Sequence, residues 1–401
     1  MRRVFYGWFV VAAAFAVTFV GFGSAYTFSA FVGSLQTEFG ASRGSVSLVF
    51  SLAGFLYFSF GIVSGPLADR WGSRRLAVLG MIVIAAGLVL AGRAQSLTAV
   101  YAAYGLGVGL GVGCAYVPAL GAVQRWFSRR RASASGIAVS GIGVGTLALP
   151  ALAALLIDRL GWRDAYLVLG VGAAVIGGGL ALLIVDDPHE RGLQADGDPP
   201  SANGGLAVRS GTSVSAAIRS PPFLILYAAC LICSFGVFVP FVHLVPYATD
   251  HGIPQSSAIV LLGAIGVGST AGRFFLGGLA DRVGRTLTLV AMLVGMAASL
   301  AIWVMATGLW WLAVFAVLYG LFYGGWVAVL PAIVMDYFGG LNVSGIIGIL
   351  YTSVAFGTLV GPSSAGWMFD ATGSYTVPIV ASIVATLASA ATTSVLLKRA
   401  R

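Results

Sequence analysis

The sequence predicts an all-α membrane protein of twelve transmembrane helices in two pseudo-symmetric six-helix bundles, and three observations carry that reading. Hydrophobic residues fill 59% of the 401 positions and charged residues 9%, with a mean hydropathy of +0.97; no soluble domain of this size hides so much apolar surface. The apolar residues gather in runs of about 20, long enough to cross a bilayer as helices. Finally, Gly65-Pro-Leu-Ala-Asp69-Arg70-Trp-Gly72-Ser-Arg74-Arg75 returns as Gly277-Gly-Leu-Ala-Asp281-Arg282-Val-Gly284-Arg285, with Asp281 standing 212 positions after Asp69. An interval of about half the chain marks a duplication.

The first half holds spans at roughly 7–33, 45–67, 76–93, 96–124, 133–157 and 164–185. The first follows Met1-Arg2-Arg3 but is too long for a secretion signal and has no convincing cleavage site after it. The second runs into the repeated loop, and the third starts behind its arginines. In the fourth, Gly105, Gly109 and Gly113 form one stripe and Gly107 and Gly111 another, while Gly136, Gly141 and Gly145 thin the fifth. Small residues at this spacing let helix backbones approach closely in lipid, either as a permanently tight pair or as a seam that repacks; both readings need the same glycines.

From 186 to 221 the chain turns to Pro, Gly, Asp and Ser, a composition that builds no packed core and predicts a flexible linker. Ser213–Ser220 can form a short amphipathic helix, stopped by Pro221-Pro222. The second half then holds spans at roughly 222–247, 256–279, 286–306, 309–335, 343–367 and 376–397, with Gly320 and Gly324 in the tenth. The expected units are therefore 1–185, a cytoplasmic linker 186–221, and 222–401.

The net charge of +9 is a matter of topology. With the N-terminus inside, Arg2, Arg3, Arg70, Arg74, Arg75, Arg125, Arg129, Arg130, Arg131, Arg191, Arg209, Arg219, Arg282, Arg285, Lys398, Arg399 and Arg401 fall on inner segments. Only Arg43, Arg93, Arg159 and Arg163 fall outside. This asymmetry puts both termini in the cytoplasm and lets the inner face attract anionic lipids. It leaves no basic groove for nucleic acid. Cys114, Cys230 and Cys233 all fall within spans, and Cys230-Leu-Ile-Cys233 lacks the second ligand pair of a zinc site. No metal, cofactor or enzymatic nucleophile–base pair is expected.

In the repeated loop, Gly65 and Gly277 allow close approach at a helix end, while Asp69 and Asp281 can accept from helix N-terminal amides and pair with arginine. Arg70, Arg74, Arg75, Arg282 and Arg285 hold the loop at the inner surface. The loop is either a topological anchor or a latch that stabilises an outward-facing state. Its pattern resembles the signature loop of the major facilitator superfamily, which implies two six-helix bundles and alternating access. Tyr6-Gly7-Trp8 and the turn from Arg125-Trp-Phe-Ser-Arg129 through Gly136, Gly141 and Gly145 look like the monocarboxylate transporter family. His243-Leu-Val-Pro-Tyr-Ala-Thr-Asp250 and the segment from Gly361 to Tyr375 are similar to bacterial members, including relatives of oxalate–formate exchangers.

Arg273 is the centre of the expected chemistry. Eight residues before Asp281, it lies roughly 12 Å inside the membrane end at a rise of 1.5 Å per residue, where a cation costs at least about 2.5–3.5 kcal/mol. Either it snorkels to the inner surface or it faces a wet cavity, where its forked donor set matches a carboxylate. The resemblance agrees with the second, since it implies an eighth-span arginine that binds the substrate carboxylate. No acid lies near it in sequence, which argues against cation efflux and sugar transport. The proton-coupled relatives place an aspartate four residues before this arginine and a lysine in the first span; here Ser269 holds the first position and the only lysine is Lys398. The second cation that oxalate exchangers carry in the eleventh span is absent.

Tyr26, Tyr116, Tyr323 and Ser269 are further candidates for substrate contact, with Tyr57 and Tyr351 ranked below them. His243 can titrate near neutral pH and carry a proton, or hydrogen-bond a carbonyl near Pro240 or Pro246. The expected function is secondary transport of small monocarboxylates or related organic anions, proton-linked, in a bacterial inner membrane, by a monomer. Anion exchange or facilitation without protons is the alternative, followed by drug efflux.

Overall fold

The computed structural model describes residues 5–41, 43–197 and 211–399. Arg2, Arg3, Arg209 and Arg401, and with them part of the expected linker, lie outside the described residues. The rest is helical: α1 (Gly7–Phe39), α2 (Arg43–Ser59 and Gly61–Trp71), α3 (Ser73–Gly92), α4 (Leu97–Trp126), α5 (Arg131–Leu160), α6 (Trp162–Ala181), α7 (Pro221–Asp250), α8 (Gln255–Val283), α9 (Arg285–Met305), α10 (Leu309–Phe338), α11 (Val343–Thr372) and α12 (Thr376–Arg399). Eleven are long and apolar enough to cross a membrane as they stand, and the twelfth, α2, does so as a pair bent by 41°. The chain is an integral membrane protein of the all-α class.

Glycine decides how these helices meet. Gly105, Gly109 and Gly113 of α4 face Leu52, Ala53 and Phe60 of α2, while Gly107 and Gly111 face Gly87 and Gly80 of α3. Gly141 and Gly145 let α5 lie against Phe15, Thr18 and Phe19 of α1, and Gly320 and Gly324 admit the α8 backbone at Ile265 and Ser269. A methyl group at most of these positions would meet backbone within about 3 Å, so the spacing reflects backbone-to-backbone packing. At the α2–α3 and α8–α9 corners Gly72 and Gly284 take φ values of +93° and +115°, conformations open to glycine and strained for other residues.

The halves meet along α2 with α11 and α5 with α8. Gly65 packs on Ser344 and Gly277 on Ala132. The 212-residue offset that relates Gly65 to Gly277 also relates Ala132 to Ser344, so the two seams repeat each other residue for residue.

The described parts of the linker, 186–197 and 211–221, are more ordered than their composition predicts. Asp186 accepts from the Ser73 N–H at 2.7 Å and lies 3.5 Å from Arg125. Asp196 accepts from the N–H groups of Ser128 and Arg129 at 3.0 and 2.9 Å and from the Ser128 hydroxyl. Arg191 stacks 3.6 Å over the Tyr6 ring. Linker carboxylates thus satisfy amides and cations of the adjoining turns, which apolar content does not register. Ser213 caps a short helix, Val214–Ile218, and Pro221 opens α7 at a helical position where its missing N–H costs nothing.

Candidate functional site

Arg273 lies on α8 with 1% of its surface exposed, and no acid pairs with it among the described residues. Its Nε and the Ser269 hydroxyl, one turn earlier on the same face, are both buried without a hydrogen-bond partner. Its guanidinium carbon stands 5.7 Å from the centroid of the Tyr323 ring, with Tyr116, Tyr26 and Tyr351 within electrostatic range.

Those four tyrosines line a narrow cavity between the halves, together with Phe22, Phe58, Phe238 and Trp326 and four aliphatic residues, Ile142, Val327, Leu330 and Val354. α1, α2, α4 and α5 supply one wall; α7, α10 and α11 supply the other. Tyr116 and Tyr351 stack across the divide at 5.6 Å, with 6° between planes, and the Tyr116 hydroxyl donates to that of Tyr351 at 3.4 Å. The arrangement offers one fixed cation at the edge of an aromatic space, with hydroxyls to orient an anion.

Tyr26, Tyr116 and Tyr323 therefore come together in the cavity wall, while Arg273 stands behind it, 5.7 Å from the Tyr323 ring, with Ser269 one turn away and outside the lining. His243 does not join them: on α7 its Nε2 lies 2.8 Å from the Pro362 carbonyl and its Nδ1 3.4 Å from the Tyr375 hydroxyl, away from the cavity. The carbonyl it meets belongs to α11 and not to the neighbourhood of Pro240 or Pro246. Tyr351, ranked low from sequence, is a full member of the cavity wall. Its depth gave a signal, because it lies eight residues into α11 and Arg273 lies a comparable ten residues from the end of α8.

The repeated loops close one end of the molecule. Asp69 accepts from the Gly345 N–H at 2.8 Å, at the start of α11. Asp281 accepts from the Ser133 N–H at 2.8 Å and the Ala132 N–H at 3.1 Å, at the start of α5. Each carboxylate caps a helix of the opposite half, where unpaired amides and the helix dipole favour negative charge. The arginine paired with Asp69 is Arg125 of α4, buried at 3% side-chain exposure, and not one of the loop's own. Arg70 and Arg75 are exposed, and Arg74 instead donates to the Ile184 carbonyl at 2.6 Å. On the other side Arg285 does pair with Asp281 at 2.8 Å and continues to Asp336, which Arg131 reaches from the first half at 2.9 Å; Arg282 is exposed. Arg125 and Arg131 flank the basic turn between α4 and α5, but only the packing of α4 on α2 and of α5 near α10 reveals their partners.

Comparison with known proteins agrees with this architecture. The Major Facilitator Superfamily profile matches residues 13–270 and 224–401. Monocarboxylate transporter 12-B of Danio rerio is 32% identical over 395 residues, covering 92% of this chain and 83% of that one. Human monocarboxylate transporter 11 is 30% identical over 382 residues, covering 92% and 79%. The bacterial membrane expected from sequence gains no support from these animal relatives. Among solved structures, the proton:xylose symporter XylE superposes with a TM-score of 0.76 at 14% identity, covering 95% of this chain and 94% of that one. The human organic anion transporter MFSD10 does so with 0.73 at 14%, covering 96% and 99%. At such identities the likeness shows the fold alone. With the profile spanning both halves and relatives of 30% identity or more over most of their length, the chain belongs to the major facilitator superfamily and, within it, to the monocarboxylate transporters.

Proposed function

We propose that the protein carries small monocarboxylates or related organic monoanions by alternating access, with Arg273 as the ligand of the carboxylate. The observation that carries this reading is the buried guanidinium next to Tyr323 of the aromatic-walled cavity between the halves, with no acid paired to it among the described residues. A carboxylate would supply the missing counter-charge through two charge-assisted hydrogen bonds, and the Tyr116 hydroxyl of the cavity wall and the unpartnered Ser269 hydroxyl are the candidates to orient a second polar atom. One cation suits a monoanion. The halves, 1–185 and 222–401, would rock about the two glycine seams, with the Asp69 and Asp281 contacts holding the loop end shut. The exposed Arg70, Arg75, Arg219 and Arg282 support placing that end on the cytoplasmic side, against anionic lipid.

Proton-linked symport needs a titrating group, and His243 is engaged elsewhere. Obligatory exchange is favoured by the solitary charge: a buried cation without a counter-charge costs several kcal/mol, so the loaded carrier reorients more readily than the unloaded one. Proteoliposomes filled with unlabelled anion or with buffer, assayed for uptake of labelled pyruvate, lactate, formate and benzoate, test both points. Uptake that needs internal anion and ignores an imposed pH gradient supports exchange; uptake driven by the gradient from empty vesicles restores symport. Absence of uptake of all four anions overturns the carrier reading.

A further inference from the structure

The carboxylate site depends on a residue that carries no side chain. Gly143 of α5 lies against α8 where Arg273 turns toward the cavity: a methyl group there would stand 2.2 Å from Thr270 Oγ1, 3.2 Å from Arg273 Nη1 and 3.3 Å from the Gly266 carbonyl. Thr270 cannot swing aside freely, because its hydroxyl donates to that same carbonyl at 3.0 Å. About two turns toward the loop end, a methyl at Gly136 would stand 1.9 Å from the Arg273 carbonyl. The first half thus touches Arg273 at its backbone and at its head, both times through glycine.

We propose that Gly143 is a positioning residue for Arg273, and that the guanidinium takes its place at the cavity only because α5 is bare there. This rests on the carrier reading for its meaning but not for its geometry. Arg273 is almost wholly buried, its Nε has no hydrogen-bond partner, and from its own half the head meets the Tyr323 ring at 5.7 Å, a contact that leaves its direction loosely fixed. α5 is the surface it lies under. When the α5–α8 seam is closed, the head lies beneath Gly143 and faces the tyrosines. A side chain at 143 forces either the seam or the guanidinium to move by several tenths of an ångström. The site is consequently shared: the second half provides the charge, and the first half provides the space that aims it.

The test uses Gly143→Ala, Thr270→Ala and the double variant in proteoliposomes, with two readouts. The first is uptake of labelled benzoate. The second is modification of Arg273 by p-hydroxyphenylglyoxal, located by peptide mass spectrometry, which does not require transport. Gly143→Ala is expected to raise KM about tenfold with maximal rate within about twofold, and to speed labelling of Arg273. The double variant, with the threonine hydroxyl gone, is expected to recover most of the affinity while staying about threefold above Thr270→Ala. If Gly143→Ala does not reach the membrane, the comparison of Thr270→Ala with the double variant decides. Equal KM and equal labelling in either pair overturn the proposal. Faster labelling in a protein whose wild type carries no benzoate upholds the positioning role and sinks benzoate transport instead.

Discussion

Arg273 stands where the first half has Gly61, and the two residues keep the same backbone contact with opposite halves. A methyl group at Gly348 would lie 1.9 Å from the Gly61 carbonyl, and one at Gly136 would lie 1.9 Å from the Arg273 carbonyl. Gly136 and Gly348 share the 212-residue offset of Gly61 and Arg273. The duplication therefore survives in the main chain at the centre of the interface and is broken by one side chain, the arginine.

That break predicts a clean loss of function. If Arg273 is the carboxylate ligand as proposed, Arg273→Ala should remove two charge-assisted hydrogen bonds, together about 3 kcal/mol, or about a hundredfold in uptake. It also removes a buried cation without a counter-charge, so thermal stability in detergent should hold or rise. Arg273→Lys keeps the charge without the fork and should fall between. Uptake at the wild-type level by the alanine variant contradicts the assignment of the ligand.

Gly348→Ala and Gly136→Ala should both prevent closure of the loop end, since the atoms they meet belong to backbone that cannot rotate away. A cysteine placed on the loop-end portion of α4 should become accessible to a membrane-impermeant maleimide applied from that side in both variants. Protection equal to wild type would mean the seams have slack that the geometry does not show.

The two aspartates should differ in what they hold. Asp69→Asn takes the nearer carboxylate charge from buried Arg125 and leaves Asp186 at 3.5 Å, and breaking a buried pair costs about 3–5 kcal/mol. Asp281 shares its work with Arg285, whose second carboxylate, Asp336, is 37% exposed, so Asp281→Asn should cost less and depend on salt. Hydrogen exchange at the start of α11 for the first variant and of α5 for the second reads this directly. Equal loosening in both would show that burial of Arg125 does not matter.

Much of this was legible in the chain itself, and what escaped did so for definite reasons. The spans follow from run length, and Arg273 from the rarity of a cation inside one. Asp69 and Asp281 stand out by repetition, but Arg125 as the partner of Asp69 follows only from how α4 packs on α2. The cavity wall was partly hidden because the chain has 24 Phe and 14 Tyr, and an aromatic residue facing lipid reads the same as one facing a site. Gly143 was harder still, standing between Gly141 and Gly145 outside the regular spacing. His243 looked like a cavity residue because depth in the membrane is readable while helix rotation is not.

His243 supplies the next expectation. With its ring held between the Pro362 carbonyl and the Tyr375 hydroxyl, His243→Gln should leave the pH dependence of uptake unchanged and alter only the stability of the α7–α11 contact. A flattened pH profile in that variant would return the proton to this residue and favour symport.

Asp196 gives a pH effect with a definite sign. Partial burial pushes its carboxyl up, but hydrogen bonds from the Ser128 hydroxyl and from the Arg129 and Ser128 N–H groups, with the Arg129 charge, outweigh burial and hold it below the ordinary carboxylate range. A group depressed in the folded state stabilises it above its unfolded value, about 3.9 for aspartate, and that contribution fades as pH falls through the lower folded value. The docking of the linker on the turn before α5 should thus be constant through neutral pH and weaken only in acid below about 4. Hydrogen exchange at the Ser128 and Arg129 amides follows it: protected at pH 7, increasingly exposed in acid after correction for intrinsic rates, and exposed at every pH in Asp196→Ala. If the alanine variant keeps those amides protected at pH 7, the linker is held there by Arg191 on Tyr6 and not by the carboxylate.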